Sequence, residues 1–248
     1  INPFTTETRY NDTAGGSTFL GLTSQTPSGN FSIGSTYAVG SHPHRIAAGD
    51  VNGDGKLDAV TAGYQSSTLS VLLGNGNGTF SPQVTYSTGG SPTDVKLVDV
   101  NSDGKLDIVA GNYGGNNVAV LFGNGDGTFQ NRLNYSSGAN PHFLVVADFN
   151  NDGKPDIASD NVSSANVSIF LNNGDGTFGA QTTFSANSSP WGIDAGDLDG
   201  DGKIDLVVGN NGSNTISVLK GNGSGGFAAP VTYATGGNPR NVTVADLN

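Results

Sequence analysis

A nine-residue stretch returns four times in this chain at one interval, and that recurrence constrains the fold more than any other feature. It reads DVNGDGKLD from Asp50 to Asp58, DVNSDGKLD from Asp99 to Asp107, DFNNDGKPD from Asp148 to Asp156 and DLDGDGKID from Asp197 to Asp205. Each copy begins 49 residues after the one before, and a truncated fifth (Asp246-Leu247-Asn248) falls at the same interval. Oxygen-bearing side chains hold positions 1, 3, 5 and 9 of every complete copy, and glycine holds position 6. Alternate positions of a tightly curled backbone converge on one point, position 7 adds a main-chain carbonyl, and glycine permits the sharp turn. The spacing is that of a calcium loop.

The period extends beyond the loops. Phe31, Phe80, Phe129, Phe178 and Phe227 stand 49 apart, as do Pro43, Pro92, Pro141, Pro190 and Pro239, and as do Tyr37, Tyr86, Tyr135, Phe184 and Tyr233. Repeats with no insertion over this length imply identical units in a regular array. Each unit reads as four short strands. The first enters the loop with alternating apolar residues (Ile46 and Ala48, Val95 and Leu97, Leu144 and Val146, Ile193 and Ala195, Val242 and Val244). The second leaves it over residues 57–61, 106–110, 155–159 and 204–208. The third alternates again, as in Leu69, Val71 and Leu73, and ends in a glycine-punctuated hairpin turn before Phe80. The fourth runs through Val84 and Tyr86, after which Gly89, Gly90 and Pro92 break the chain. No segment has a useful helical period, and four antiparallel strands per repeat of this length predict an all-β fold, a β-propeller of four-stranded blades.

The ends suggest how the ring closes. Leu20, Leu22 and Phe31 align without a gap on Leu69, Val71 and Phe80, while Arg240 to Leu247 reads as a first strand without the rest of its blade. Repeats beginning near residues 44, 93, 142 and 191, with a split blade from 1–40 and 240–248, give one domain over 1–248 and a count of five blades. A larger propeller follows if the chain is a fragment.

Glycine is abundant, at 39 residues, yet its fixed period among Val, Ile, Leu and Phe points to a repeat fold rather than disorder. The net charge of −11 is concentrated: 13 of the 21 acidic residues lie in the four complete loops. Ten Lys and Arg without a cluster argue against a nucleic-acid partner. No apolar run approaches the ~20 residues that span a bilayer, so no membrane insertion is expected. With no Cys there are no disulfides, and calcium is left as the cross-link. Polar loops and calcium suited to millimolar concentrations favour a secreted or cell-surface setting.

The pattern D-x-[ND]-x-D-G-K-x-D, an apolar strand, then G-N-G-[DN]-G-T-F resembles the FG-GAP/VCBS repeat family over residues 18–248. That family builds calcium-binding β-propellers, including the ligand-binding head of integrin α subunits and certain fungal lectins. Seven blades are common in it, so a count of five departs from the usual pattern. The resemblance implies metal ligands at Asp50, Asn52, Asp54, Lys56 (through its carbonyl) and Asp58. The same roles fall on Asp99, Asn101, Asp103, Lys105 and Asp107, and on Asp148, Asn150, Asp152, Lys154 and Asp156. In the last complete copy they fall on Asp197, Asp199, Asp201, Lys203 and Asp205. Position 12, where an EF-hand carries its bidentate Glu, holds Thr61, Ala110, Ser159 and Val208, which predicts dissociation constants of about 10⁻⁵–10⁻³ M. Four structural ions are expected. Near-identity of the loops points to stapling rather than to a catalytic centre, which needs one distinctive site.

Strand alternation puts the calcium loops and the Gly-Asn-Gly turns on one face and the remaining connections on the other. That second face differs from repeat to repeat. His44, Thr93, His142, Trp191 and Arg240 follow the periodic prolines, and Tyr64 and Tyr113 lie in the turns between second and third strands. A constant scaffold with varied tips suits recognition. The candidate ligand-binding residues are His44, Tyr64, Tyr113, His142, Trp191 and Arg240, for a carbohydrate or protein partner. The histidines alone read as solvated loop residues, and His42, His44 and His142 could form a zinc site only by converging across the ring. Asp94, Asp160 and Asp194 lie outside the repeat pattern, so a polysaccharide-cleaving enzyme with channel carboxylates is an alternative. A structural repeat domain without a discrete ligand is another. No catalytic residue is assigned.

Overall fold

A computed structural model describes residues 34–247. The first blade comprises β1 (Pro43–Gly49), β2 (Asp58–Gly63), β3 (Thr68–Leu72) and β4 (Val84–Ser87). The second has β5 (Pro92–Val98), β6 (Asp107–Asn112), β7 (Asn117–Leu121) and β8 (Leu133–Ser136). The third has β9 (Pro141–Ala147), β10 (Asp156–Asn161), β11 (Asn166–Phe170) and β12 (Thr182–Ser185), and the fourth β13 (Pro190–Gly196), β14 (Asp205–Asn210), β15 (Thr215–Leu219) and β16 (Val231–Ala234). Each blade is a four-stranded antiparallel sheet with its strands in chain order. The fold is all-β, a β-propeller with four blades among the described residues.

Four of the periodic prolines, Pro43, Pro92, Pro141 and Pro190, are the first residues of innermost strands, where a missing N–H costs no ladder bond. The register slips just after the proline in every blade, between Pro43 and Ile46, Pro92 and Asp94, Pro141 and Leu144, and Pro190 and Ile193. The second strands start one residue later than the apolar pattern suggests and run two residues further, because the ninth loop residue itself enters the ladder (Gly49 opposite Asp58).

The core lies between blades, not within them. Leu69 and Val71 of the first blade pack with Val95, Ile108, Leu121 and Phe129 of the second, and two further clusters join the second to the third and the third to the fourth. The second and third sheets are therefore covered on both faces, and the second strand of every blade, β2, β6, β10 and β14, is buried along its whole length. The two aromatic series of the sequence meet across these seams. Tyr37 lies edge-on to Phe80, Tyr86 to Phe129, Tyr135 to Phe178 and Phe184 to Phe227, with ring centroids 5.2–5.6 Å apart. Such edge-to-face pairs add about 1 kcal/mol each beyond the area they bury.

The hairpin turns fasten the same seams. Gly127 donates its N–H to the Val51 carbonyl of the preceding blade, and Gly225 does so to Phe149. Gly225 has a φ of +78° and its absent Cβ would sit 2.7 Å from Leu171, so conformation and contact both require glycine there.

The fourth blade shows what its outer face lacks. Leu198 and Tyr233 are 43% and 53% exposed, although Val51, Val100 and Phe149, the residues equivalent to Leu198, are buried and Tyr86, Tyr135 and Phe184, those equivalent to Tyr233, are half-buried. The expected first strand at 240–247 forms no ladder. It nevertheless lies along β13, where the Val244 N–H reaches Asp194 Oδ2 at 2.8 Å, just as Leu144 N–H reaches Asp94 Oδ2 between the second and third blades. A strand needs a neighbour. The sequence places that neighbour in the other part of the split blade, residues 1–40, of which 1–33, with the proposed closure of the ring, lie outside the described residues.

Candidate functional site

Two surfaces carry chemistry, one at each end of the blades. On the first, the loops connect innermost to second strands. The carboxylate of Asp50 accepts the N–H groups of Gly53 at 2.7 Å and Gly55 at 2.7 Å, and the Gly55 bond above all holds its pKa below the ordinary range. The loop thus curls around its first residue. At position 5, Asp54, Asp103, Asp152 and Asp201 each pair with the lysine two residues on, at 2.7–3.6 Å. Those lysine stems also cover the hairpin turns: an added Cβ at Gly76 would lie 2.8 Å from Lys56 Cδ.

The ninth residue does something the loop pattern does not reveal. Asp107 is wholly buried, with Oδ1 accepting from Gly123 N at 2.8 Å and Oδ2 from Val100 N at 3.0 Å. Asp58, Asp156 and Asp205 repeat this double bond with Gly74, Asn172 and Gly221 and with Val51, Phe149 and Leu198. Burial raises the Asp107 and Asp156 carboxyls against the pull of these donors. Each ninth aspartate ties its loop to the start of the hairpin turn after the third strand, independently of any ion.

Whether a cation fits is answered best in the fourth loop. Oxygens of Asp197, Asp199 and Asp205 lie within 4.8 Å of one another, and this is the one loop with a carboxylate rather than an amide at position 3. A cluster of hard oxygen donors suits calcium. Lys220 Nζ stands 2.7 Å from Asp199 Oδ2, a pairing that no spacing rule pointed to. A bound ion would supply a cross-link between the strands entering and leaving the loop.

At the opposite end, the varied residues meet. His44 stacks on Tyr64 (4.8 Å between centroids), Tyr64 lies edge-on to Tyr113 (6.2 Å), Tyr113 to His142 (6.2 Å), and His142 contacts Trp191 at 4.4 Å. This row crosses all four blades. His42 stands outside it and is exposed, and among the described residues the three histidines do not form a three-ligand metal group. His142 departs from a solvated loop histidine, being only 5% exposed. Burial, then the positive charges of His44, Arg45 and Arg240, lower its pKa to about 3.

Sequence reasoning missed Arg45 and Phe143, which form a cation–π contact at 4.3 Å, and Lys96, whose Nζ lies 3.4 Å from Asp94. A signal existed: the second position after each periodic proline (Arg45, Asp94, Phe143, Gly192, Asn241) varies as freely as the first. Below the row, β1, β5 and β9 enclose a cleft of about 500 Å3 lined by Ile46, Ala48, Lys96, Val98, Val145 and Val146.

The three aspartates outside the repeat act on backbone. Asp94 Oδ2 accepts from Leu144 N and Asp194 Oδ2 from Val244 N, each tying one blade to the segment that follows. Asp160, fully buried, takes the N–H groups of Phe143 at 2.6 Å and His142 at 3.2 Å inside the β9 irregularity. Burial lifts its pKa to about 7.

These two shifts oppose each other. Between pH 6.5 and about 3 the unfolded chain protonates a histidine that the folded chain keeps neutral, so His142 costs stability as pH falls. Between pH 3.8 and about 7 the folded chain retains a proton on Asp160 that the unfolded chain releases, so Asp160 costs stability as pH rises. His142→Phe removes the first slope. The variant should gain on the parent by up to about 1.4 kcal/mol per pH unit as pH is lowered from 6.5. Chemical denaturation across that range measures it, and a stability difference that does not change with pH would refute the burial of His142.

The four-stranded blades and their repeated acidic loops define a β-propeller repeat protein. The chain belongs to the FG-GAP-like repeat family, whose profile matches residues 50–110, 99–159, 161–208 and 197–248. Among solved structures it is similar to an Agrocybe aegerita lectin that recognises non-reducing terminal N-acetylglucosamine (TM-score 0.51, 24% identity, 75% of this chain and 50% of that one). It is also similar to a putative 6-phosphogluconolactonase from Bacteroides uniformis (TM-score 0.64, 20% identity, 83% and 61%). A third similar structure is the V. cholerae biofilm matrix protein Bap1 (TM-score 0.50, 24% identity, 75% and 28%). At these identities the likeness establishes the fold, and the chain spans 50% and 61% of the first two proteins. Comparison with curated proteins finds no significant match.

Proposed function

We propose that this chain is an extracellular, calcium-stabilised binding module that holds a carbohydrate on the face opposite its calcium loops. The aromatic row from His44 through Tyr64, Tyr113 and His142 to Trp191 carries this reading. It assembles residues from four blades, and it uses positions at which the repeats disagree, which a purely structural repeat has no reason to vary. Flat rings with polar rims suit a pyranose, because they offer apolar faces together with hydrogen-bonding edges. A lectin and a biofilm matrix protein among the similar structures are in keeping with such a role outside the cell. In the loops, the twenty positions named from the sequence would hold four ions, and their work is to fix the blades that carry the row.

The test is a glycan array followed by titration of any hit, with and without chelator. Trp191→Ala should weaken a bound glycan by about tenfold or more while leaving the melting temperature within a few degrees. Silence across a broad array, or a hit indifferent to Trp191, Tyr64 and Tyr113, would remove the reading.

A further inference from the structure

Positive charge in this acidic protein is divided between its two ends in a telling way. Lys56, Lys105, Lys154, Lys203 and Lys220 all pair with loop aspartates on the calcium face. Arg132 lies on the flank of the second blade, with Nη1 on the Ser87 carbonyl at 3.3 Å. The other described cations, Arg45, Lys96 and Arg240, gather at the opposite mouth. Lys96 is matched by Asp94 at 3.4 Å, but among the described residues neither Arg45 nor Arg240 enters an ion pair. Arg45 instead lies over the Phe143 ring at 4.3 Å, beside His142, and Arg240 is exposed.

The nearby acids do not cancel these guanidiniums. Asp94 is spent on the Leu144 N–H and on Lys96, and Asp160 is buried beneath the surface. Arg45 covers Phe143, whose ring touches His142, and the Arg240 backbone lies against Gly192, where an added Cβ would meet its carbonyl at 3.1 Å, next to the Trp191 that contacts His142. His142 Nδ1 is buried with no hydrogen-bond partner, and the aromatic row passes directly over this region. Stacking faces and two unmatched guanidiniums thus share one mouth. A guanidinium fork binds planar and tetrahedral oxyanions through two parallel N–H bonds, which a neutral hydroxyl cannot match.

We infer that the ligand of this mouth is an acidic glycan, a sugar bearing carboxylate or sulfate, with Arg45 and Arg240 receiving the anion while Trp191 and the tyrosines receive the ring. This rests on the carbohydrate reading above and adds its charge. The overall negative charge is no obstacle, because the acids are concentrated in loops at the other end and salt screens them within about 10 Å.

The experiment compares four probes at constant calcium: a hexasaccharide containing glucuronate, its neutral methyl ester, a sulfated hexasaccharide and polyglutamate. The expected result is binding of the carboxylated or the sulfated sugar about tenfold tighter than the methyl ester, with the advantage shrinking as salt rises from about 20 to about 300 mM. Whichever acidic sugar binds more tightly identifies the anion. Arg240→Ala, at an exposed site, and Arg45→Ala should each reduce acidic-sugar binding about fivefold and leave the methyl ester unchanged. Equal binding of acid and ester would overturn the inference while sparing the carbohydrate reading. So would an acid preference that survives in the doubly substituted protein, since it would then arise elsewhere, for example at the calcium face. Binding of polyglutamate alone, or of nothing, would overturn both.

Discussion

Stripping calcium from the protein should lower its melting temperature by about 20 °C or more. A ligand that binds only the folded state stabilises it by RT ln(1 + [L]/Kd). With Kd near 10⁻⁴ M and about 5 mM calcium, each loop contributes about 2.3 kcal/mol, and four loops contribute about 9 kcal/mol. At roughly 2–4 °C per kcal/mol for a chain of this size, the shift is large enough to read in any melt. The loops contribute because each joins the innermost strand of a blade to the second, and the Gly127 and Gly225 bonds carry that order to the neighbouring hairpin turns. Comparing melts in calcium and in chelator tests the claim, and superimposable curves would end it. Single-loop variants refine it: Asp99→Ala should remove about a quarter of the calcium-dependent shift. A total loss from one loop would mean that the sites act as a unit.

Asp107→Ala should be among the most destabilising single changes, costing about 2–6 kcal/mol even in chelator, with any calcium contribution of its loop lost in addition. It deletes the acceptor for two buried N–H groups, those of Val100 and Gly123, and each stranded donor costs about 1–3 kcal/mol. The persistence of the penalty without calcium is the informative part. If the ninth loop residue served only as a metal ligand, the penalty would vanish once the ion was gone. Urea denaturation of parent and variant, each with and without chelator, separates the two roles. A variant as stable as the parent in chelator would refute the staple. Asp99→Ala is the useful contrast, since Asp99 Oδ1 and Oδ2 bond only within their own loop, to Asp103 N and Gly104 N.

Much of this architecture was legible because the chain repeats itself. Aligned copies show which positions are fixed, and fixed positions in stacked units must meet the same neighbours. Four strands per repeat and the placement of the acidic loops between first and second strands follow from that logic. The Phe129 and Tyr86 series were visible as columns, but their meeting across the seam between blades was not, since a period gives spacing along the chain and not the tilt of one sheet on the next. Position 9 shows the same limit. Its invariance marked it as a metal ligand, yet invariance cannot tell a ligand from a buried hydrogen-bond acceptor, and the structure shows that Asp107 is an acceptor.

The departures from the repeat were hardest to read. His142, alone in the sequence, resembles any loop histidine. It becomes a buried, neutral ring only because Tyr113, Phe143 and Trp191 close over it from neighbouring blades and from its own strand. Arg45 gained no meaning until Phe143, two blades away, came to lie beneath it. By itself, then, the sequence determined the blade and the repeated acidic loop, because each is written within one 49-residue unit and copied. Only the tertiary structure decided which of the uncopied residues act together, because that depends on how four blades lean toward one mouth, and no local spacing records the lean.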